Sequence, residues 1–335
     1  MSSSTIKTTT SSTTITQTIK NHQTAKIAFH RKLDFFREQQ CTAKRLSNAT
    51  PTTTTKTTDI TAKYDFIRDH DITLGARLGS GGFGTVHECR IGGHKYALKR
   101  FHNNNTRNAR AAQESFSSEQ AATKLIHRNI VRSLFTFVRH DSRFVLMEFV
   151  EARTLQSIID DDIKESLGSQ RCIKFARQIS AGLAYAHAKK IVHLDLKPLN
   201  ILVTQSTDEC KIADFGCCKD LTEIAAASPG TPTKTSLTGT YSYRAPELLR
   251  GEPATEKADI YSLGICLWQM VTRQRPYGNE NHQVIIFKVV AYNLRPAIPE
   301  DTNELYKQVM VQCWDQCKDK RMCAKNILNF FNENF

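Results

Sequence analysis

From Tyr64 onward, apolar residues recur in short alternating runs broken by turn residues, and these runs predict an order of elements. Residues 74–78, 85–90 and 95–101 alternate as strands, and Gly92-Gly93 between the last two predicts a tight hairpin. A helical pattern over 112–127 follows, then two more strands over 131–138 and 144–149. From Thr154 long helical patterns take over, most clearly over 169–189 and 256–272, and no internal repeat is visible. A small β-rich part with one helix, a short connector and a larger helical part predict an α+β fold of two lobes with a cleft between them.

Residues 1–63 break this texture. Thr and Ser dominate, as in Thr8-Thr9-Thr10-Ser11-Ser12-Thr13-Thr14, and the apolar content is too low to repay the entropy of folding, so this tail reads as disordered. One island departs from it: Ile27, Phe29, Leu33 and Phe36 recur near helical spacing among Lys26, His30, Arg31, Lys32 and Arg37. The island reads as a transient helix or a docking helix. The basic, hydroxyl-rich start with no acid before Asp34 also matches an organelle-targeting presequence.

Composition narrows the function classes. No run of about 18 apolar residues occurs and the N-terminus lacks the apolar stretch of a secretory signal, so the expected location is cytoplasmic, with no membrane partner. Ten cysteines without framework spacing read as reduced thiols; Cys217-Cys218 and the set Cys313, Cys317 and Cys323 read as packing residues rather than a metal site. Of the net charge of +13, residues 1–63 supply +7 through ten Lys/Arg against three Asp/Glu. The mildly basic remainder has no Lys/Arg stripe interleaved with aromatics, so no nucleic-acid partner is expected.

Candidate chemistry concentrates in a few segments. Leu78-Gly79-Ser80-Gly81-Gly82-Phe83-Gly84-Thr85-Val86 sets G-x-G-x-x-G in a turn between two strands, where backbone amides can close over phosphates without side chains intruding. A dinucleotide fold would open a helix there and place an acid about 20 residues on; this chain runs into a strand and has Lys99. Lys99 points opposite to Leu98, toward a phosphate lying under the glycine loop, and Glu119 is favoured over Glu114 as the acid that locks it.

His193-Leu194-Asp195-Leu196-Lys197-Pro198-Leu199-Asn200 spaces a carboxylate to accept a hydroxyl proton, an ammonium to steady a transferring phosphate and an amide to hold a metal ion. Asp214-Phe215-Gly216, after a short strand, adds a second oxygen ligand. Arg244-Ala245-Pro246-Glu247 closes a segment that Glu247 anchors if it pairs with Arg321, and Asp259 is placed to brace the catalytic-loop backbone from a buried helix.

On these motifs, in this order, residues from about Thr73 to Phe331 resemble a eukaryotic protein kinase, and Lys197 and Thr240 resemble the serine/threonine branch. The resemblance implies ATP and Mg²⁺ as cofactors, Asp195, Lys197, Lys99 and Glu119 as catalytic residues, and Asn200 and Asp214 as metal ligands. It also implies nucleotide contacts from residues 78–86, Ala97 and Lys99, with adenine against the connector Glu148-Phe149-Val150 and Met147 behind it. The implied organisation is a tail over 1–63 and a kinase domain over 64–335, with N-lobe 64–147, hinge 148–150 and C-lobe 151–335.

A closer resemblance is to the Mos kinases. It rests on His193-Leu194-Asp195, Asp214-Phe215-Gly216-Cys217, Thr240-Tyr241-Ser242-Tyr243-Arg244-Ala245-Pro246-Glu247-Leu248-Leu249, the stretch 257–270 and Val289-Val290-Ala291-Tyr292-Asn293-Leu294-Arg295-Pro296. That family phosphorylates MAP kinase kinases in oocytes and supports meiotic maturation, so the implied partner is a MAP kinase kinase, met by a monomer. The long Thr-rich tail departs from the usual pattern of the family.

Leu194 stands where most kinases carry an arginine that grips an activation-segment phosphate. Leucine forms no such bond, so activity is expected not to need that phosphate, although Ser228-Pro229 and Thr231-Pro232 have the form of proline-directed sites. A pseudokinase scaffold is disfavoured, because Lys99, Asp195, Asn200 and Asp214 are all present.

Overall fold

Three antiparallel strands open the described chain: β1 (Thr73–Ser80), β2 (Gly84–Ile91) and β3 (His94–Phe101), with Gly92 and Gly93 both at positive φ in the β2–β3 turn. The computed structural model describes residues 72–102, 106–161, 167–226 and 241–335. The Thr/Ser-rich stretch 1–63, its island at Ile27, Phe29, Leu33 and Phe36, and Ser228, Thr231 and Thr240 lie outside the described residues.

Helix α1 (Thr106–Ala122) follows, then β4 (Ser133–Arg139) and β5 (Ser142–Glu148), completing a sheet of order β1-β2-β3-β5-β4. Strand alternation puts Ala97, Lys99 and Phe101 on one face of β3, and α1 lays Ala112 and Phe116 against that face. The Phe101 and Phe116 rings meet edge to face at 5.5 Å.

The larger lobe starts with β6 (Ala152–Thr154) and α2 (Leu155–Asp160), whose first turn is capped by Thr154 Oγ1 accepting the Ser157 N–H at 3.1 Å. The chain continues through α3 (Ser169–Ala188), β7 (Ile191–Val192), β8 (Ile201–Thr204), β9 (Cys210–Ile212), β10 (Lys219–Asp220) and α4 (Leu221–Ala226). After the undescribed interval come α5 (Pro246–Leu249), α6 (Glu256–Thr272), α7 (His282–Ala291), α8 (Glu304–Cys313) and α9 (Ala324–Asn334).

Helix α6 is the axis of this lobe, with every residue from Ala258 to Met270 buried. Its apolar side chains each contribute about 1.5–3 kcal/mol of burial. A Cβ at Gly264 would meet Cys313 Cβ at 2.8 Å, so glycine lets α6 and α8 cross closely. No helix among the described residues is long and apolar enough to cross a membrane.

The lobes are stitched by backbone. Val131 N–H donates to Ile212 O and Ile212 N–H to Asn129 O, each at 2.8 Å, while Asn129 Nδ2 donates to Cys210 O at 2.8 Å. This pins β9, and the residues just after it, beneath the N-lobe sheet.

Several boundaries differ from the sequence expectation. The helix expected over 112–127 begins at Thr106 and ends at Ala122, because its first three residues, Thr106-Arg107-Asn108, are polar and do not reveal it, and Thr123–His127 turn to deliver Ile130 to β9. The strand expected from residue 131 begins at Ser133, since Val131 pairs with Ile212 instead. Strands β6 to β10 have two to four residues each and pair as β6-β8-β9 and β7-β10, too short for an alternation pattern. The nine cysteines among the described residues are free thiols, and among these residues no cluster of three or more His, Cys, Asp or Glu could hold a metal.

Candidate active site

Lys99 is the hub of the cleft. Its Nζ donates to Glu119 Oε1 at 2.8 Å and to Asp214 Oδ1 at 2.6 Å, joining β3, α1 and the segment after β9. Lys99 retains 6 % exposure and Glu119 1 %, so their pair is buried, whereas the Asp214 side chain keeps 43 % exposure. Burial alone would lower the Lys99 pKa, but Asp214 and Glu119 outweigh it and raise it, keeping the ammonium charged. Burial likewise works against ionisation of Asp214, and Lys99 overrides it, holding the carboxyl down at about 2. Glu114, the competing acid in the sequence, pairs with Arg110 on the outer side of α1 at 3.0 Å.

Above this hub lies the glycine turn. Gly81 N–H donates to Gly84 O at 2.9 Å, and β1 pairs Gly79 with Val86 and Ser80 with Thr85. A Cβ on Gly84 would meet Arg100 O at 2.4 Å, whereas the Cβ positions of Gly79, Gly81 and Gly82 face open space. One glycine therefore permits close packing on β3 and three leave room under the loop. Leu78 is exposed at the mouth of the turn, and Phe83 and Val86 pack against the cluster of Ala97, Val145 and Met147.

The connector supplies the apolar slot. Met147 pairs with Ala97 across β5 and β3, and Val150 packs on the same cluster. Glu148 Oε1 accepts the Arg132 N–H at 2.9 Å and Lys211 Nζ at 2.8 Å, so its carboxylate is tied away from the slot. Leu202 on β8 and Ala213 close the cluster from the C-lobe side. Both were missed from sequence; the only signals were Leu202 two residues after Asn200 and Ala213 immediately before Asp214.

The loop after β7 brings the other charges together. Asp195 Oδ2 accepts Lys197 Nζ at 2.8 Å and Asn200 Nδ2 at 3.0 Å, and Asn200 Nδ2 also donates to Asp195 O at 2.9 Å. Ala213 N–H donates to Asn200 O at 2.8 Å, so Asn200 and Asp214 stand one residue apart across a backbone hydrogen bond. His193 Nε2 bonds Ala213 O at 3.0 Å and its ring meets Phe215 edge to face at 4.7 Å.

Supports behind the loop are buried. Asp259 accepts the N–H groups of His193 at 2.8 Å and Leu194 at 2.7 Å, and its Oδ2 also meets His187 Nε2 at 2.8 Å. Glu247 and Arg321 form a two-pronged pair at 2.7 and 2.8 Å, and Arg321 also donates to Asp315 O and Lys257 O.

Asn200 and Asp214 offer an amide and a carboxylate, hard oxygen donors on adjacent backbone. Two such ligands fit a small divalent cation that fills its shell with water and phosphate oxygens.

The protein kinase domain model matches residues 72–331. Among known proteins, the serine/threonine-protein kinase mos of Patiria pectinifera is 44 % identical over 262 residues, covering 77 % of this chain and 74 % of that protein. The proto-oncogene serine/threonine-protein kinase mos of Sus scrofa is 41 % identical, covering 68 % of each chain, and that of Mus musculus is 40 % identical, covering 73 % of this chain and 75 % of its own. The chain belongs to the protein kinase family, as a Mos-like serine/threonine kinase. The kinase therefore uses ATP and a divalent metal and acts on protein substrates. Its two-lobed α+β architecture is the one the family resemblance implied.

Proposed function

We propose that this kinase transfers the γ-phosphate of ATP to serine or threonine hydroxyls in the activation loop of a MAP kinase kinase, and that it acts in oocyte meiosis as a cytoplasmic monomer. In this reading the kinase domain runs over 64–335, hinged at 148–150. The supporting observation is that Lys99 holds Glu119 and Asp214 at once while Asp195 is held by Lys197 and Asn200. These five charged side chains and Asn200 suit phosphoryl transfer. The pathway assignment follows the similarity to the Mos relatives and the resemblance that His193-Leu194-Asp195 carries.

Asp195 accepts the proton of the substrate hydroxyl, its carboxylate aimed by Asn200 and Lys197. Lys197 then swings its ammonium between Asp195 and the phosphoryl oxygens, offsetting charge in the transition state. Lys99, fixed by Glu119, holds the α- and β-phosphates beneath residues 78–86, and adenine lies between Ala97 and the backbone of Glu148 and Val150. Asn200 and Asp214 would hold Mg²⁺, which would supply charge neutralisation at the phosphates.

Offering a catalytically inactive MAP kinase kinase with labelled ATP tests the reading. Wild type transfers label to its activation loop and Asp195→Asn does so about 10²–10⁴-fold more slowly. Transfer to other proteins but not to this one favours a serine/threonine kinase of another pathway.

A further inference from the structure

A large apolar side chain faces water beside Asp195. The turn Pro198–Asn200 lies in the loop that carries Asp195; its first and last residues are buried, while Leu199 between them keeps 55 % exposure. An exposed leucine is ordinary in itself, but this one is held where the chain has little freedom. Pro198 fixes the entry to the turn, Asn200 N–H donates to Lys197 O at 2.9 Å, and Asn200 O accepts Ala213 N–H at 2.8 Å. Lys197 before the leucine and Asn200 after it both reach the Asp195 carboxylate, at 2.8 and 3.0 Å. One amide side chain and one backbone step therefore place the Leu199 backbone within roughly 10 Å of the proton acceptor, a span of about three extended residues.

The groups bordering the turn are polar and engaged with one another. Helix α2 lies against it, and Gln156 of that helix donates through Nε2 to Asp160 Oδ1 at 2.9 Å and accepts Gln269 Nε2 at 3.4 Å. Gln269, buried on α6, in turn accepts the Tyr243 hydroxyl. Both amides are thus occupied, and Asp160, the one acid in this chain of contacts, is engaged by Gln156. Leu199 is left as the group on this side of Asp195 that has most to gain from being covered.

We propose that Leu199 is a specificity-determining residue, contacting an apolar side chain that lies within about three residues of the acceptor serine or threonine in the substrate. The inference rests on the role of Asp195 given under the proposed function. A substrate that sets its hydroxyl on Asp195 carries its sequence neighbours across the turn, so the acceptor segment itself covers the leucine. An apolar neighbour removes Leu199 from water, whereas a charged one is desolvated against it without a partner.

The test uses the full-length kinase and short serine-centred peptides in which one position at a time is fixed to each amino acid. Wild type should favour Leu, Ile or Met over Gly by about tenfold in kcat/KM at one position near the acceptor. Leu199→Ala should bring that ratio to about twofold or less, and Leu199→Glu should move the preference at the same position to Lys and Arg. The side chain is exposed, so melting temperature should hold in both variants. Absence of an apolar preference in wild type, or one that Leu199→Ala leaves intact, overturns the subsite. So does an equal loss on every peptide in Leu199→Ala, which would make the leucine a support of the loop. A basic preference in wild type also overturns it and would assign recognition to Asp160. Full transfer by Asp195→Asn defeats the acceptor role and the subsite together, whereas any of the preceding results with Asp195→Asn inactive defeats the subsite alone.

Discussion

Leu194 sits at φ 64°, and its backbone N–H is held by Asp259 Oδ1 at 2.7 Å. A leucine in this left-handed region costs about 1 kcal/mol, and two charge-assisted hydrogen bonds donated by the His193 and Leu194 N–H groups to the buried Asp259 carboxylate offset it. The bend turns Asp195 toward the cleft while Leu194 packs into the C-lobe core. Asp259→Asn replaces one acceptor oxygen by an amino group facing an N–H donor, so one bond is lost and a repulsion added. Expected are a lower melting temperature and a kcat down by about tenfold or more, with the KM for ATP little changed. An unchanged kcat would separate the clamp from catalysis.

The burial of Leu194 carries a second expectation. Its side chain is 7 % exposed and lines a small cavity with Ser115, Cys217, Lys219 and Arg244, with no guanidinium at that position to hold a phosphate. Activity should survive complete phosphatase treatment within about twofold. A large loss on treatment, restored by rephosphorylation, would show that other cations of the cavity take over the arginine's role.

What was legible in the sequence was periodic or motif-bound. The alternation of β3 shows that Lys99 faces away from Leu98, and the spacing of Glu119 ahead of the following strand separates it from Glu114. What stayed hidden depends on contacts between distant segments. Leu202 and Ala213 join the apolar slot only because β8 and β9 pair under the N-lobe sheet. The left-handed backbone at Leu194 and Asp214 is likewise imposed by tertiary hydrogen bonds, which no local propensity reports. The helix start at Thr106 escaped because Thr106-Arg107-Asn108 are polar and start no apolar periodicity.

Asp214 should leave a mark on acid stability. Its carboxyl is held at about 2 by Lys99, below an ordinary value of 3.8. A group depressed in the folded state contributes stability above its unfolded pKa and loses it as pH falls through the folded one, so the contribution is full above pH about 4 and gone near pH about 2. Melting temperature followed from pH 5 down to 2 should therefore fall less steeply in Asp214→Asn than in wild type, at about the same salt. Parallel curves would mean that other carboxylates govern the acid limb.

Gly216 and Ser115 offer a test with a built-in rescue. A Cβ at Gly216 would lie 2.5 Å from Ser115 Oγ, 3.1 Å from Asp214 Oδ1 and 3.2 Å from Lys99 Nζ, so Gly216→Ala pushes α1 away from the ion pair that Glu119 must reach. Ser115 Oγ is itself buried without a hydrogen-bond partner. Ser115→Ala alone should be neutral or stabilising by up to about 1 kcal/mol, because an unsatisfied buried hydroxyl is removed. Gly216→Ala should lower kcat/KM by about tenfold or more through displacement of the Lys99–Glu119 contact. In the double variant the hydroxyl is gone, leaving the softer approach to Lys99 and Asp214, and part of the activity should return. Strictly additive losses would place the clash elsewhere than at the hydroxyl.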